Sequence, residues 1–128
     1  MSTSGKNILV VEDNTVQREA MAEFLEALSY RVSTATNGFE ALSQLDGADT
    51  DTDLILLDLS MPVMDGEEFL RRKSRSSEIA AIKVIVISGS ERPPPEARSP
   101  SVEAFLKKPI SPEVLLSTIE RASAGTLN

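Results

Sequence analysis

Leu54-Ile55-Leu56-Leu57-Asp58 is the stretch from which the fold is read. Four aliphatic residues without polar alternation read as a strand covered on both faces, and parallel sheets are built from such strands. The run stops on a carboxylate. Upstream, Ile8-Leu9-Val10-Val11 has the same character and is followed by Glu12-Asp13; downstream, Val84-Ile85-Val86-Ile87 is followed by Ser88. Two further apolar runs, Arg31–Ala35 and Ala104–Leu106, are weaker and more polar, as edge strands tend to be.

Helical patterns fill the intervals. Val16, Ala20, Met21, Phe24, Leu25 and Leu28 form one stripe of a 3.6-residue period. Asn37-Gly38 turns the chain into a short helix carrying Phe39, Ala41, Leu42 and Leu45. Asp65 caps a third helix through Phe69 and Leu70, whose basic end (Arg71, Arg72, Lys73, Arg75) suits the negative end of a helix dipole. Ser111-Pro112 opens the last, followed by Val114, Leu115 and Ile119. Between the fourth and fifth strands, Pro93-Pro94-Pro95 and Pro100 interrupt Glu91–Ser101, where a loop or at most one turn is expected. That interval should leave the flank of the fourth and fifth strands less covered. Alternating β and α elements predict an α/β fold, a doubly wound parallel sheet with helices on both faces.

Composition narrows the function. The chain has 128 residues, one domain's worth (1–128), with Met1–Lys6 and Ala124–Asn128 expected to be flexible ends. With no cysteine and no histidine, zinc fingers, iron–sulfur clusters, thiol nucleophiles, Ser-His-Asp triads and histidine phosphate donors are excluded. A net charge of −7 opposes direct binding to nucleic acid or to anionic lipid. No apolar run approaches the ~20 residues of a spanning helix, and Met1–Lys6 is too short and polar for a signal peptide. A cytoplasmic protein is expected.

In doubly wound sheets ligands bind at the carboxyl ends of strands. The polar residues collected there are Glu12 and Asp13 after the first strand, Asp58 after the third, Ser88 after the fourth, and Lys107-Lys108-Pro109 after the fifth. Taken singly, each is an ordinary turn former, cap or surface charge. Together they form a cation site and a phosphoryl site that share Asp58. Unit charges ~4 Å apart repel by about 4 kcal/mol at an effective dielectric of 20. Mg²⁺, which takes one or two carboxylates plus waters and phosphate oxygens, would relieve that repulsion.

These segments resemble the receiver domain of two-component response regulators over nearly the whole chain. The resemblance rests on Ile8–Asn14, on Thr36–Leu42, on Asp58-Leu59-Ser60-Met61-Pro62-Val63-Met64-Asp65-Gly66, on Ser88-Gly89, and on Phe105-Leu106-Lys107-Lys108-Pro109. It implies a flavodoxin-like five-stranded sheet in the order 2-1-3-4-5, with the fourth helix degraded by the prolines. Carried over by position, it makes Asp58 the phosphoacceptor. Asp13 and Asp58 would bind Mg²⁺ directly, Glu12 through a water, and Ser60 through its backbone carbonyl. Ser88 and Lys108 would contact the phosphoryl group, Phe105 would be the aromatic whose rotamer follows Ser88, and the Lys108–Pro109 peptide bond would be cis.

The implied function is that of a stand-alone, monomeric signalling protein rather than an enzyme, one that catalyses only its own phosphorylation and dephosphorylation. A histidine kinase or histidine phosphotransfer protein would supply the phosphate, and a downstream protein target would read it. Three rivals fare worse. A haloacid-dehalogenase-type phosphatase needs a second acid two residues after its nucleophile, where this chain has Ser60. A nucleotide switch needs a Gly-x-x-x-x-Gly-Lys loop, which the sequence lacks. A phosphate-independent receiver would normally have lost an acid or the lysine, and this chain keeps them all.

Overall fold

The computed structural model describes residues 6–46, 51–59, 66–89, 95–98 and 100–125. In chain order these are β1 (Asn7–Val11), α1 (Thr15–Ala27), β2 (Arg31–Ala35), α2 (Gly38–Leu45), β3 (Leu54–Asp58), α3 (Gly66–Ser74), β4 (Lys83–Ser88), a 3₁₀ turn (Pro95–Arg98), β5 (Val102–Lys107) and α4 (Pro112–Gly125). All five strands are parallel and lie in the order β2-β1-β3-β4-β5.

The pleat sorts the apolar runs onto two faces. Leu9, Val11, Ile55, Leu57, Val84 and Val86 pack with Ala41, Leu45, Phe69 and Leu70 of α2 and α3. Their neighbours Ile8, Val10, Leu54, Leu56, Ile85 and Ile87 pack on the other side with Leu25 of α1 and with Leu115, Ile119 and Ala122 of α4. Successive residues of a strand point to opposite faces, so an unbroken aliphatic run feeds both cores.

The helices begin on side-chain caps. Asn14 Oδ1 accepts the Gln17 N–H at 2.9 Å and Asn37 Oδ1 accepts the Glu40 N–H at 2.8 Å. Pro112 takes the first position of α4, where its missing N–H costs nothing, and Ser111 Oγ accepts the Val114 N–H at 3.4 Å. Lys6 accepts a hydrogen bond from the Arg31 N–H at 2.9 Å, and α4 continues to Gly125. The proposed cap Asp65, and Glu91–Pro94 of the proline stretch, lie outside the described residues.

Some sequence expectations change. The fifth strand is longer than its apolar core, running from Val102 to Lys107. Val16 is 76% exposed: it lies in the first turn of α1, at the carboxyl edge where the strands end, so the stripe of that helix starts lower. Phe39 and Val114 also face outward, and Phe39 lies under the Arg72 guanidinium at 5.7 Å. Among the described residues the connection from β4 to β5 is a single 3₁₀ turn, yet β4 is not uncovered. Val84 through Ser88 are buried: Phe69, Leu70 and Ile79 cover Val84 and Val86 on one face, and the α1–α4 side covers Ile85 and Ile87 on the other. Residues of β5 are half-buried or exposed.

Lys73 is the largest departure. It stands in a basic run that reads as a solvated helix end, but it is 1% exposed, on the α3 stripe that carries Phe69 and Leu70. Its ammonium donates to the Ala80 carbonyl at 2.7 Å and to Ser101 Oγ at 3.1 Å. Burial pushes it down from the ordinary 10.5 to about 8. Between those two values the unfolded chain holds a proton that the folded chain has released, so stability rises with pH through that window. In urea unfolding, the wild-type protein should therefore gain about 2 kcal/mol on Lys73→Met between pH 7 and pH 10. A difference that stays flat would mean that the ammonium is not desolvated.

Candidate functional site

Register builds the site. Val11 pairs with Leu57 across β1 and β3, so Glu12 and Asp58, each the next residue, arrive side by side at the carboxyl edge. Ser88 ends β4 and pairs with Lys107, and the Lys108 N–H donates to the Ser88 carbonyl at 2.7 Å. Asp58, Glu12 and Ser88 are buried, Asp13 is exposed and Lys108 is half-buried. A cavity of about 630 Å³ between α1 and α4 opens beside them, walled by Met21, Phe24, Leu56 and Leu115.

Lys108 is the hub of the charges. Its Nζ lies 3.3 Å from Asp58 Oδ2, 3.8 Å from Glu12 Oε1 and 3.4 Å from Gln17 Oε1. Lys107, the other candidate, is exposed at the end of β5 and partners Ser88 through the backbone ladder. The Lys108–Pro109 peptide bond is cis. Phe105 is half-buried and packs into the α2–α3 core, paired with Val86. Ser60 lies outside the described residues.

Gly66 lets α3 come close to the end of β3. A Cβ there would meet the Leu59 Cα at 2.7 Å and Asp58 O at 3.1 Å, so only glycine fits without moving backbone. The Gly66 N–H donates to the Leu59 carbonyl at 3.2 Å, tying the helix start to the residue after Asp58.

Three residues that carry no role in the sequence reading support the acids. The Asn14 N–H donates to Glu12 Oε2 at 3.2 Å, and Arg18 Nη1 donates to the Glu12 carbonyl at 3.1 Å and the Asp13 carbonyl at 3.4 Å. Gln17 reaches Lys108 as given above. The signal was available: Asn14 reads as an N-cap, which places residues 17 and 18 on the first turn above the acids.

Carboxylate oxygens of Glu12, Asp13 and Asp58 all lie within 4.8 Å of one another. This is an all-oxygen hard donor set of the kind Mg²⁺ takes. Crowding already shows in the protonation. Burial, and then a hydrogen bond shared with Asp58, push the Glu12 carboxyl up from 4.5 to about 7. Between those values the folded chain keeps a proton that the unfolded chain has lost, so stability falls as pH rises through that window. With divalent cations chelated, Glu12→Gln should gain about 2 kcal/mol on the wild type between pH 5 and pH 7.5 in urea unfolding. No pH dependence of that difference would mean that the Glu12 carboxyl is not raised in the folded chain.

Comparison with known proteins agrees with this geometry. A family model described as response regulator receiver domain matches residues 8–120. The two-component response regulator ORR3 of Oryza sativa subsp. japonica is 35% identical over 109 residues, covering 83% of this chain and 82% of that protein. The two-component response regulator ARR17 of Arabidopsis thaliana is 30% identical over 134 residues, covering 95% and 85%. Among solved structures, the chemotaxis protein CheY4 of Vibrio cholerae superposes with a TM-score of 0.83 at 29% identity, over 93% of this chain and 99% of that one.

Proposed function

The chain belongs to the response regulator receiver domain family, and on that premise we propose that Asp58 takes a phosphoryl group from the phosphohistidine of a partner protein. One observation carries the reading: a buried carboxylate at a strand end lies 3.3 Å from a lysine ammonium, inside a cluster of two further acids.

In this reading an Asp58 carboxylate oxygen attacks phosphorus. The new O–P bond forms as the N–P bond of the donor breaks, and the electron pair of that bond stays on the partner's imidazole nitrogen. Positioning and charge neutralisation do most of the work in such transfers. Lys108 turns from Asp58 and Glu12 toward the incoming phosphoryl oxygens, and the Ser88 hydroxyl donates to one of them. Asp13 and Asp58 would hold Mg²⁺ directly, Glu12 through a water and Ser60 through its carbonyl. When bound, that ion supplies the positive charge that the three carboxylates lack.

The protein is then a signalling switch rather than an enzyme with a separate substrate, acting on nothing but its own acyl phosphate. A histidine kinase or histidine phosphotransfer protein is the donor, and a downstream protein is the target. The reading makes it a cytoplasmic monomer, and its net charge of −7 opposes direct binding to nucleic acid or to anionic membranes. No helix among the described residues is long and apolar enough to cross a membrane.

Incubation with acetyl phosphate and Mg²⁺, read by intact mass, should add one phosphate to the wild type and none to Asp58→Asn. Phosphate on the variant at the wild-type extent would overturn the assignment. Ser88→Ala should still accept phosphate, but the NMR shifts of Phe105 should then respond far less to phosphorylation. A full response would separate Phe105 from Ser88.

A further inference from the structure

Lys73 has no part in the chemistry above, yet it is fully buried and its ammonium is spent on two neutral oxygens. Burying a lysine for two such bonds is unfavourable compared with an apolar side chain of its size. The reason for keeping it lies in what it holds. Ser101, one of its two partners, immediately precedes β5, and the Ser101 carbonyl accepts the Val84 N–H at 2.9 Å.

Directly after that point the ladder is irregular. Val84 pairs with Val102, but Ile85 pairs with Ala104, so Glu103 is an extra residue in β5. The cores record the same break in phase. Val102 and Phe105, three apart, pack on the α2–α3 face, while Ala104 and Leu106 pack on the α1–α4 face. Among the described residues Glu103 pairs with Lys83, at 4.0 Å on a half-exposed surface, a pair of the kind that contributes little. Residues of β5 are half-buried or exposed, and its connection from β4 contains a single 3₁₀ turn among the described residues, so beside the Val84–Val102 pairing and the packing of Val102 the Lys73 clamp is a further tie on where β5 begins.

The bulge decides where Lys108 ends up. With it, Ser88 pairs with Lys107, and Lys108 lies one residue beyond the ladder, facing Asp58. Without it, a regular ladder started at Val84 and Val102 would set Leu106 opposite Ser88. Lys108 would move outward by one residue, roughly 3.3 Å, and its side chain would turn to the other face.

We propose that Lys73 is a positioning residue for Lys108. Clamped between the Ala80 carbonyl and the Ser101 hydroxyl, it pins the start of β5 to the end of α3 and thereby fixes the bulge that delivers Lys108 to Asp58. This rests on the phosphoacceptor reading for its consequence, but not for its structural content.

The test uses the whole chain with Lys73→Met, which keeps the apolar stem and removes the clamp, and with Ser101→Ala, which leaves the ammonium on the Ala80 carbonyl. Two readouts are taken: hydrogen exchange of the residue 108 amide, and the rate of acetyl phosphate-dependent phosphorylation with Mg²⁺. Both variants should expose that amide to faster exchange, and Lys73→Met should slow phosphorylation by about tenfold or more at unchanged fold, since misplacement by an ångström is that costly. The double variant Lys73→Met/Lys108→Ala should be no slower than Lys108→Ala alone. Wild-type exchange and wild-type rate in Lys73→Met, or in Ser101→Ala if the first does not fold, would overturn the proposal. A Lys108→Ala protein that phosphorylates at the wild-type rate would instead remove the functional reading, leaving the amide exchange to decide the role of Lys73.

Discussion

Two carboxylates side by side on neighbouring parallel strands are the constraint on which the rest of the site depends. Because Val11 pairs with Leu57, the fold cannot separate Glu12 from Asp58 without shifting the whole β1–β3 register. One lysine ammonium, from the far edge of the sheet, answers both acids at 3.8 and 3.3 Å. Adding Asp13 leaves the edge with a surplus of negative charge. Burial first, and then the hydrogen bond shared with Asp58, push the Glu12 carboxyl up, so the neutral form is favoured where the two acids meet.

From this follows a division of labour along the strand ends. β1 and β3 carry the acids, while β4 and β5 carry the groups suited to an anion, Ser88 and Lys108. The four strands are contiguous in the order β1-β3-β4-β5, so the acids and the groups suited to an anion meet at Asp58. Gly66 keeps α3 against that meeting point, and the caps of α1 set Gln17 and Arg18 above it.

Much of this was legible in the sequence, for physical reasons that differ by element. The three central strands each carry an unbroken aliphatic run of four because both faces are covered, and each run is followed directly by a polar residue of the site. Phe105 and Lys108 were legible from a motif rather than from periodicity, because a bulge breaks the alternation of β5. Lys73 was hidden by its neighbours: within Arg71-Arg72-Lys73-Ser74-Arg75 it looks like one more surface cation. Its phase was nonetheless there to be read, four residues after Phe69 and three after Leu70, on the buried stripe. Val16 misled in the opposite sense, fitting the stripe of α1 in phase but lying past the ends of the strands. Periodicity reports the direction of a side chain, not whether anything lies beneath it.

The central claim is that this edge is built to hold one divalent cation and one phosphoryl group on Asp58. It is tested most directly by ¹⁹F NMR of the protein with beryllofluoride, a mimic of the aspartyl-bound phosphoryl group, titrated with Mg²⁺. The predicted result is a slowly exchanging bound fluoride signal that appears only with Mg²⁺ and only while Asp58 is intact. No adduct at saturating Mg²⁺, or an equal adduct on Asp58→Asn, would contradict it.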